Sequence, residues 1–283
     1  MAGLSAQKGE VMTDKTQEPY LRPDISYGDY LDLGRILAAQ HPRSDQHDEL
    51  LFIIIHQTSE LWMKLSVHEL DAARGFIVAG DLGPALKMIS RVSRIQAQMI
   101  QSWDVLATLT PSEYNRIRPF LGQSSGFQSY QYRMLDFILG LKNIDHLRVH
   151  ETDTAVYAEL KRLLESPSLY DETLRLLARR GFPIPANHVQ RDWTAPYRAD
   201  DQVEAAWLTI YRDPEGYWDL YELAEKLVDL EYRFQQWRFA HMKTVERIIG
   251  FRRGTGGSEG VGYLQRALDT SFFPELFKMR TNL

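Results

Sequence analysis

Cysteine is missing from all 283 residues, and that absence removes several chemistries at once. Disulfides, cysteine-ligated zinc, iron–sulfur clusters, a thiol nucleophile and a haem attached through C-x-x-C-H are all excluded. A reducing cytoplasm is the compartment that fits best. Long apolar runs are also lacking: the longest, LLFIII from Leu50 to Ile55, falls far short of the roughly 20 residues that span a bilayer. The opening MAGLSAQKGEVMTDKTQEPY has no apolar segment of the secretory-signal kind, so residues 1–25 are expected to form a disordered tail ahead of one helical domain over 26–283. HDEL at His47–Leu50 acts as a retention signal only at a C-terminus. An excess of positive charge is absent too. With a net charge of −5, no basic surface is implied for nucleic acid or anionic lipid, and neither partner is expected.

What is present is apolar residues, 44% of the chain, in helical register. Ser26 and Asp29 read as a capping box, followed by Tyr27, Tyr30, Leu33 or Gly34, and Leu37 at helical spacing. A long helix is expected from about Gln46 to Val78, apolar on nearly every side and therefore destined for a core. Another is expected over about 84–109, and Thr110, Pro111 and Glu113 then supply an N-cap, an N1 proline and a capping-box partner for a helix that Pro119 cuts short. Ser125 and Gln128 signal a restart that ends on Gly140, residues 141–155 read as irregular, and helices follow over 156–165 and 168–180. GFPIPANHVQRDWTAP, with three prolines, reads as an extended loop. After Asp213, residues Leu223, Leu227, Leu230, Phe234, Trp237, His241, Val245 and Ile248 form one buried stripe of a long helix. No segment alternates as a strand does, so the fold expected is all-α, a multi-helix single domain.

Chemistry can reside in few places. His241 lies on the apolar stripe and His56 follows LLFIII; each is either a satisfied core histidine or a ligand for a metal or haem. The Glu-x-x-His unit of di-iron bundles and the H-E-x-x-H motif are both missing. His47-Asp48-Glu49 has the H-x-E half of a facial triad but sits at a polar helix start and reads as a capping cluster. Arg118, where a helix breaks, is either a solvated surface arginine or a bidentate carboxylate grip. GFRRGTGGSEGVGYL, from Gly250 to Leu264, holds six of the 18 glycines and completes neither a P-loop nor G-x-G-x-x-G. It is a flexible connector or a lid whose glycines permit closure, with Thr255 presenting its hydroxyl.

Four stretches, LLFIIIHQTSELWMKL, TPSEYNRIRPFLGQSSGFQSYQYR, QQWRFAHMKTVERIIGF and RGTGGSEGVGYL, resemble in order those of the bacterial-type tryptophan 2,3-dioxygenases, over about Tyr27 to Phe277. The resemblance implies an all-α enzyme with haem b buried between long helices. It implies insertion of both atoms of O2 across the indole C2–C3 bond of L-tryptophan, giving N-formyl-L-kynurenine, the first step of the kynurenine pathway. By motif, His241 would be the axial ligand of the ferrous iron and His56 the distal residue facing the indole N–H. Phe52, Ile53, Ile54 and Ile55 would line the indole pocket, Tyr114 and Arg118 would reach the carboxylate, and Thr255 would meet the backbone end of the substrate. A homotetramer is implied, in which Tyr27, Tyr30 and Leu31 complete a neighbour's pocket. A dioxygenase for a different indoleamine would carry serine in place of His56, and a non-catalytic haem carrier would need neither Arg118 nor the glycine lid.

Overall fold

The computed structural model describes residues 25–257 and 259–283. The expected tail, apart from Ile25, lies outside the described residues. The chain divides into two compact units, residues 1–41 and 42–283.

In the first unit the capping box forms: Ser26 Oγ accepts from the Asp29 amide, and Asp29 reaches back to Ser26. The single helix suggested by the spacing is two short ones, α1 (Tyr27–Tyr30) and α2 (Leu33–Leu37). Asp32 interrupts them with φ 51°, a left-handed conformation that an α-helix cannot continue through.

The second unit is built on three long helices, α3 (Glu49–Ala79), α4 (Leu82–Leu106) and α11 (Trp218–Ile249). Helix α4 is central, packing on α3 and on α11. Its buried positions Leu82, Ala85, Ile89, Val92, Ile95, Met99, Trp103 and Leu106 recur every three or four residues. Helix α3 meets it through Ile55, Ser59, Met63, Ser66, Leu70, Ala73 and Ile77, where small residues interleave with large ones. The α3 face bearing Leu50, Ile54 and Leu61 is not in this core: they are 45%, 40% and 53% exposed, because α4, α6 (Tyr130–Leu139) and α8 (Leu169–Arg179) cover other faces of the helix.

Thr110 caps α5 (Pro111–Ile117) with the anticipated box, and Pro119 leaves a single 3-10 turn, Arg118–Phe120. Ser125 and Gln128 also form a capping box, but it closes a 3-10 turn at Gly126–Gln128, and α6 (Tyr130–Leu139) is capped by Ser129. Residues 141–155, expected to be irregular, contain a 3-10 helix at Ile144–His150 and the start of α7 (Thr154–Leu164). Helix α8 spans Leu169–Arg179, and the proline-rich loop holds one helical turn, α9 (Ala186–Val189). Helix α10 (Asp201–Arg212) has no counterpart among the expected elements, although Val203, Ala206, Trp207 and Ile210 form its buried face. Helices α12 (Val261–Leu268) and α13 (Pro274–Lys278) complete the chain, and the described residues contain no strand. No helix among them is long and apolar enough to cross a membrane.

Candidate active site

His56 lies two turns inside α3, where the chain reads hydrophobic on either side. Its Nδ1 is 2.7 Å from the Phe52 carbonyl oxygen one turn earlier. A carbonyl only accepts, so Nδ1 carries the proton and Nε2 presents a lone pair. Burial lowers the imidazole pKa, against the opposing pull of the Phe52 carbonyl and Glu60, and keeps the ring neutral at pH 7. The Phe52 ring stacks obliquely on His56 at 4.2 Å between centroids, and Tyr114 of α5 stands 6.2 Å beyond Phe52.

His241 comes from α11, and its pKa is pushed down to about 4 by burial and then by the charge His56 would carry. The two rings therefore sense each other across the space between α3 and α11. Both residues are half-buried. Trp103 of α4 stacks on His241 at 4.5 Å with an interplanar angle of 11°, and Trp237 lies 5.7 Å away. The indole Nε1 atoms of Trp103 and Trp237 are buried and have no hydrogen-bond partner. Two orphaned donors beside one neutral imidazole, in an apolar wall, mark a place shaped for an acceptor that is not protein.

Past Tyr114, an open cavity of about 390 Å³ is lined by Asn115, Arg118, Pro119, Gly122, Gly254 and Thr255. Arg118 donates through Nη2 to the Arg253 carbonyl at 2.8 Å, while its Nη1 is buried without a partner. A guanidinium nitrogen left unpaired at a cavity wall is a ready site for an anionic oxygen. Thr255 donates its hydroxyl hydrogen to the Ser124 carbonyl, so the oxygen's remaining capacity is to accept. The glycine stretch is therefore seated on residues 115–125. Gly256 permits that approach: a Cβ there would fall 2.6 Å from the Ser125 Cβ. Gly260, with φ 66° and ψ −127°, would carry a Cβ 2.6 Å from the Arg252 carbonyl oxygen, and no other residue fits where α12 begins.

The residues singled out in the sequence thus fall into several groups. Phe52, His56, Tyr114, Arg118 and Thr255 follow one another from ring to ring and into the cavity, and His241 is near enough to His56 to feel its charge. Helical geometry puts Ile55 into the core at 9% exposure, leaves Ile53 half-buried, and turns Ile54 outward. Tyr27 and Tyr30, in the first unit, are 76% and 79% exposed, and Leu31 is half-buried. His47-Asp48-Glu49 holds no metal-like cluster: buried Glu49 accepts from the Arg43 and Ser44 amides at 2.8 and 2.7 Å and closes the loop before α3 rather than capping it. Trp103, Asn115 and Arg252 join the site without having been marked by the sequence motifs. Trp103 sits on the buried stripe of α4 four residues after Met99, a periodic signal that cannot tell a core aromatic from one that packs on a ligand.

The fold and site define an all-α protein with a neutral imidazole among aromatic rings and, at an open cavity, a guanidinium with one unpaired nitrogen. Residues 13–283 match the family model for tryptophan 2,3-dioxygenase. A protein of that name from Ralstonia pickettii is 60% identical over 99% of this chain and its own whole length. Others from a Polaromonas species and from Bordetella pertussis are 58% and 57% identical, each over 96% of this chain and over 92% and 96% of their own. The chain belongs to the tryptophan 2,3-dioxygenase family.

Proposed function

We propose that this chain is the haem-dependent dioxygenase that converts L-tryptophan and O2 to N-formyl-L-kynurenine, the entry to the kynurenine pathway. The observation that carries this reading is the row from His56 through Phe52 and Tyr114 to the unpaired Nη1 of Arg118, in a chain of this family.

The residues present fit haem b. His241 is a neutral imidazole in an aromatic sleeve, and the orphaned Trp103 and Trp237 N–H groups suit the carboxylates at a porphyrin's edge. The described residues hold no group of three His, Asp or Glu side chains that could bind a metal by themselves, so an iron held by His241 would need its other donors from a bound macrocycle. Haem supplies the ferrous iron that brings triplet O2 into reaction with a spin-paired indole.

The chain's own residues bind, orient and exclude water. The substrate carboxylate takes Arg118 Nη1, on a guanidinium whose other arm is already fixed by the Arg253 carbonyl. The ammonium donates to the Thr255 oxygen, whose own hydrogen is engaged by Ser124. The indole packs on Phe52, and its N–H donates to the His56 Nε2 lone pair. Fixing both ends places C2 and C3 in one orientation, which is where such a site gains most of its rate. The seated loop keeps bulk water from the reacting atoms.

Assembly as a homotetramer would cover Tyr27 and Tyr30 of the first unit and, separately, Leu50, Ile54 and Leu61 of the second, all of them exposed apolar side chains. In that assembly Tyr27, Tyr30 and Leu31 complete a neighbour's pocket. The cytoplasm is its location, consistent with the absence of cysteine. The test is turnover: protein loaded with haem and reduced should produce N-formyl-L-kynurenine from L-tryptophan in air, and tryptamine should be a far poorer substrate. Equal turnover of the two would remove Arg118 from the carboxylate.

A further inference from the structure

Arg118 lines the cavity, Arg252 and Arg253 immediately precede its Gly254–Thr255 wall, and among the described residues none of the three has an ion-pair partner. What holds them is neutral. Arg252 donates through Nη1 to Asn115 Oδ1 at 3.1 Å and through Nε to the Ile249 carbonyl at 3.3 Å, which ties it to the end of α11. The next residue offers its carbonyl to Arg118, Thr255 clips to Ser124, and Gly256 lies against Ser125. Positions 252, 253, 255 and 256 therefore meet 115, 118, 124 and 125 in the same chain order, and Asn115–Arg252 is the first fastening of the series.

We propose that Asn115 is a positioning residue for substrate: by holding Arg252 it seats residues 252–256, and the seated Arg253 carbonyl aims Arg118 at the carboxylate. The proposal rests on the reading of Arg118 given above. Among the described residues, Arg118 Nη2 has its one hydrogen bond to that carbonyl, so when the loop lifts, the guanidinium loses the contact that fixes its plane. Loop closure and carboxylate binding are then one coupled equilibrium, and each must strengthen the other by the same factor. An amide suits this duty better than a carboxylate. Asn115 accepts from Arg252 without neutralising it, which leaves both cations free to favour an anion in the cavity; Tyr114, beside them, feels the charge of Arg118 and of Arg252. Asn115 is exposed on α5, away from the His56 and His241 rings, so its side chain contributes through the loop and not through the reacting atoms.

The experiment is a double-mutant cycle on the haem-loaded enzyme with Asn115→Ala, Arg252→Ala and the pair, each checked for wild-type helicity and haem content. Each single variant should raise KM for L-tryptophan about tenfold, the size of one lost hydrogen bond to a charged group, and kcat should change far less. Arg252→Ala also removes a cation and should cost at least as much as Asn115→Ala, and the double variant should match Arg252→Ala and not the product of the two single effects. Competitive inhibition by 3-methylindole, which has no carboxylate, should be unchanged. Amide exchange over 250–256, measured without substrate, should accelerate in each variant. Unchanged exchange or KM in Asn115→Ala, additive effects in the double variant, or equal weakening of 3-methylindole would each overturn the proposal. Absence of tryptophan turnover in the unmodified enzyme would instead sink the reading it rests on, and the exchange measurement would still judge the latch.

Discussion

Replacing Gly256 with Ala adds one methyl group where the structure has no room for it. The new Cβ would stand 2.6 Å from Ser125 Cβ, 3.0 Å from Ser125 Oγ and 3.7 Å from the Gln123 carbonyl oxygen. Two carbons rest at about 3.5 Å or more, so the loop must retreat by about 1 Å. Gly256 is not among the residues with positive φ, so the backbone itself accepts alanine and the whole effect is steric. A retreat of that size takes the Arg118–Arg253 contact of 2.8 Å beyond hydrogen-bond range. Overpacking of this kind costs about 1–3 kcal/mol, and a flexible loop that can shift places the expected cost near the lower end, about 1.4 kcal/mol or tenfold in the closed-to-open ratio. The assay is steady-state turnover of L-tryptophan with haem content measured on the same sample. We expect kcat/KM to fall about tenfold with haem unchanged, and Ser125→Gly in the same chain to restore part of it by removing the opposing methylene. Wild-type kcat/KM in Gly256→Ala would refute the seated loop as the active arrangement.

Other outcomes follow from the same geometry. His241→Ala should preserve α11, since Ala is the best helix former, while haem stoichiometry measured by pyridine haemochrome falls towards zero. His56→Ala should lower kcat/KM without abolishing turnover, because the indole N–H bond is one contact of several; a loss as complete as that of His241→Ala would assign His56 a larger role. Arg118→Lys keeps the charge but not the fork, and should cost about 2 kcal/mol in kcat/KM for L-tryptophan. His146 has its pKa pushed down to about 4 by burial and by the Arg133 charge, so the unfolded chain, titrating near about 6.5, takes up the proton first as pH falls. Its contribution is complete above about pH 6.5 and lost between there and about pH 4; discounted for partial exposure it amounts to about 1–2 kcal/mol, and His146→Gln should flatten the fall of the urea midpoint over that window.

Much of this molecule can be read from its residues because its signals are local. The Thr110 and Ser26 boxes, the stripe from Leu223 to Ile248 and the stop at Gly140 each depend on neighbours within one turn, and each forms. Signals that depend on partners far along the chain were harder to read. The outward face of α3 at Leu50, Ile54 and Leu61 carries the same residue types as its inward face, and only the positions of α4, α6 and α8 separate the two. The break at Asp32 is a backbone choice that periodicity does not report. In the site, His56 and His241 are legible as histidines on apolar helices, but their spacing leaves core residue and ligand both open, and it is the motif resemblance that favours a ligand at His241. Asn115 and Arg252 lie 137 positions apart and are ordinary polar residues in sequence; only the fold makes them a pair.

Under the proposed function, His241 would carry the haem, and His56, Phe52 and Arg118 would orient L-tryptophan for O2 insertion. The most direct test adds L-tryptophan to the reduced, haem-loaded protein without oxygen, admits air, and follows the haem absorption together with the appearance of N-formyl-L-kynurenine, in the unmodified chain and in His241→Ala. The account predicts one haem per chain and product formation in the first, and neither in the second. Stoichiometric haem with an unchanged spectrum in His241→Ala, or haem-loaded protein that leaves tryptophan unaltered in air, would contradict it.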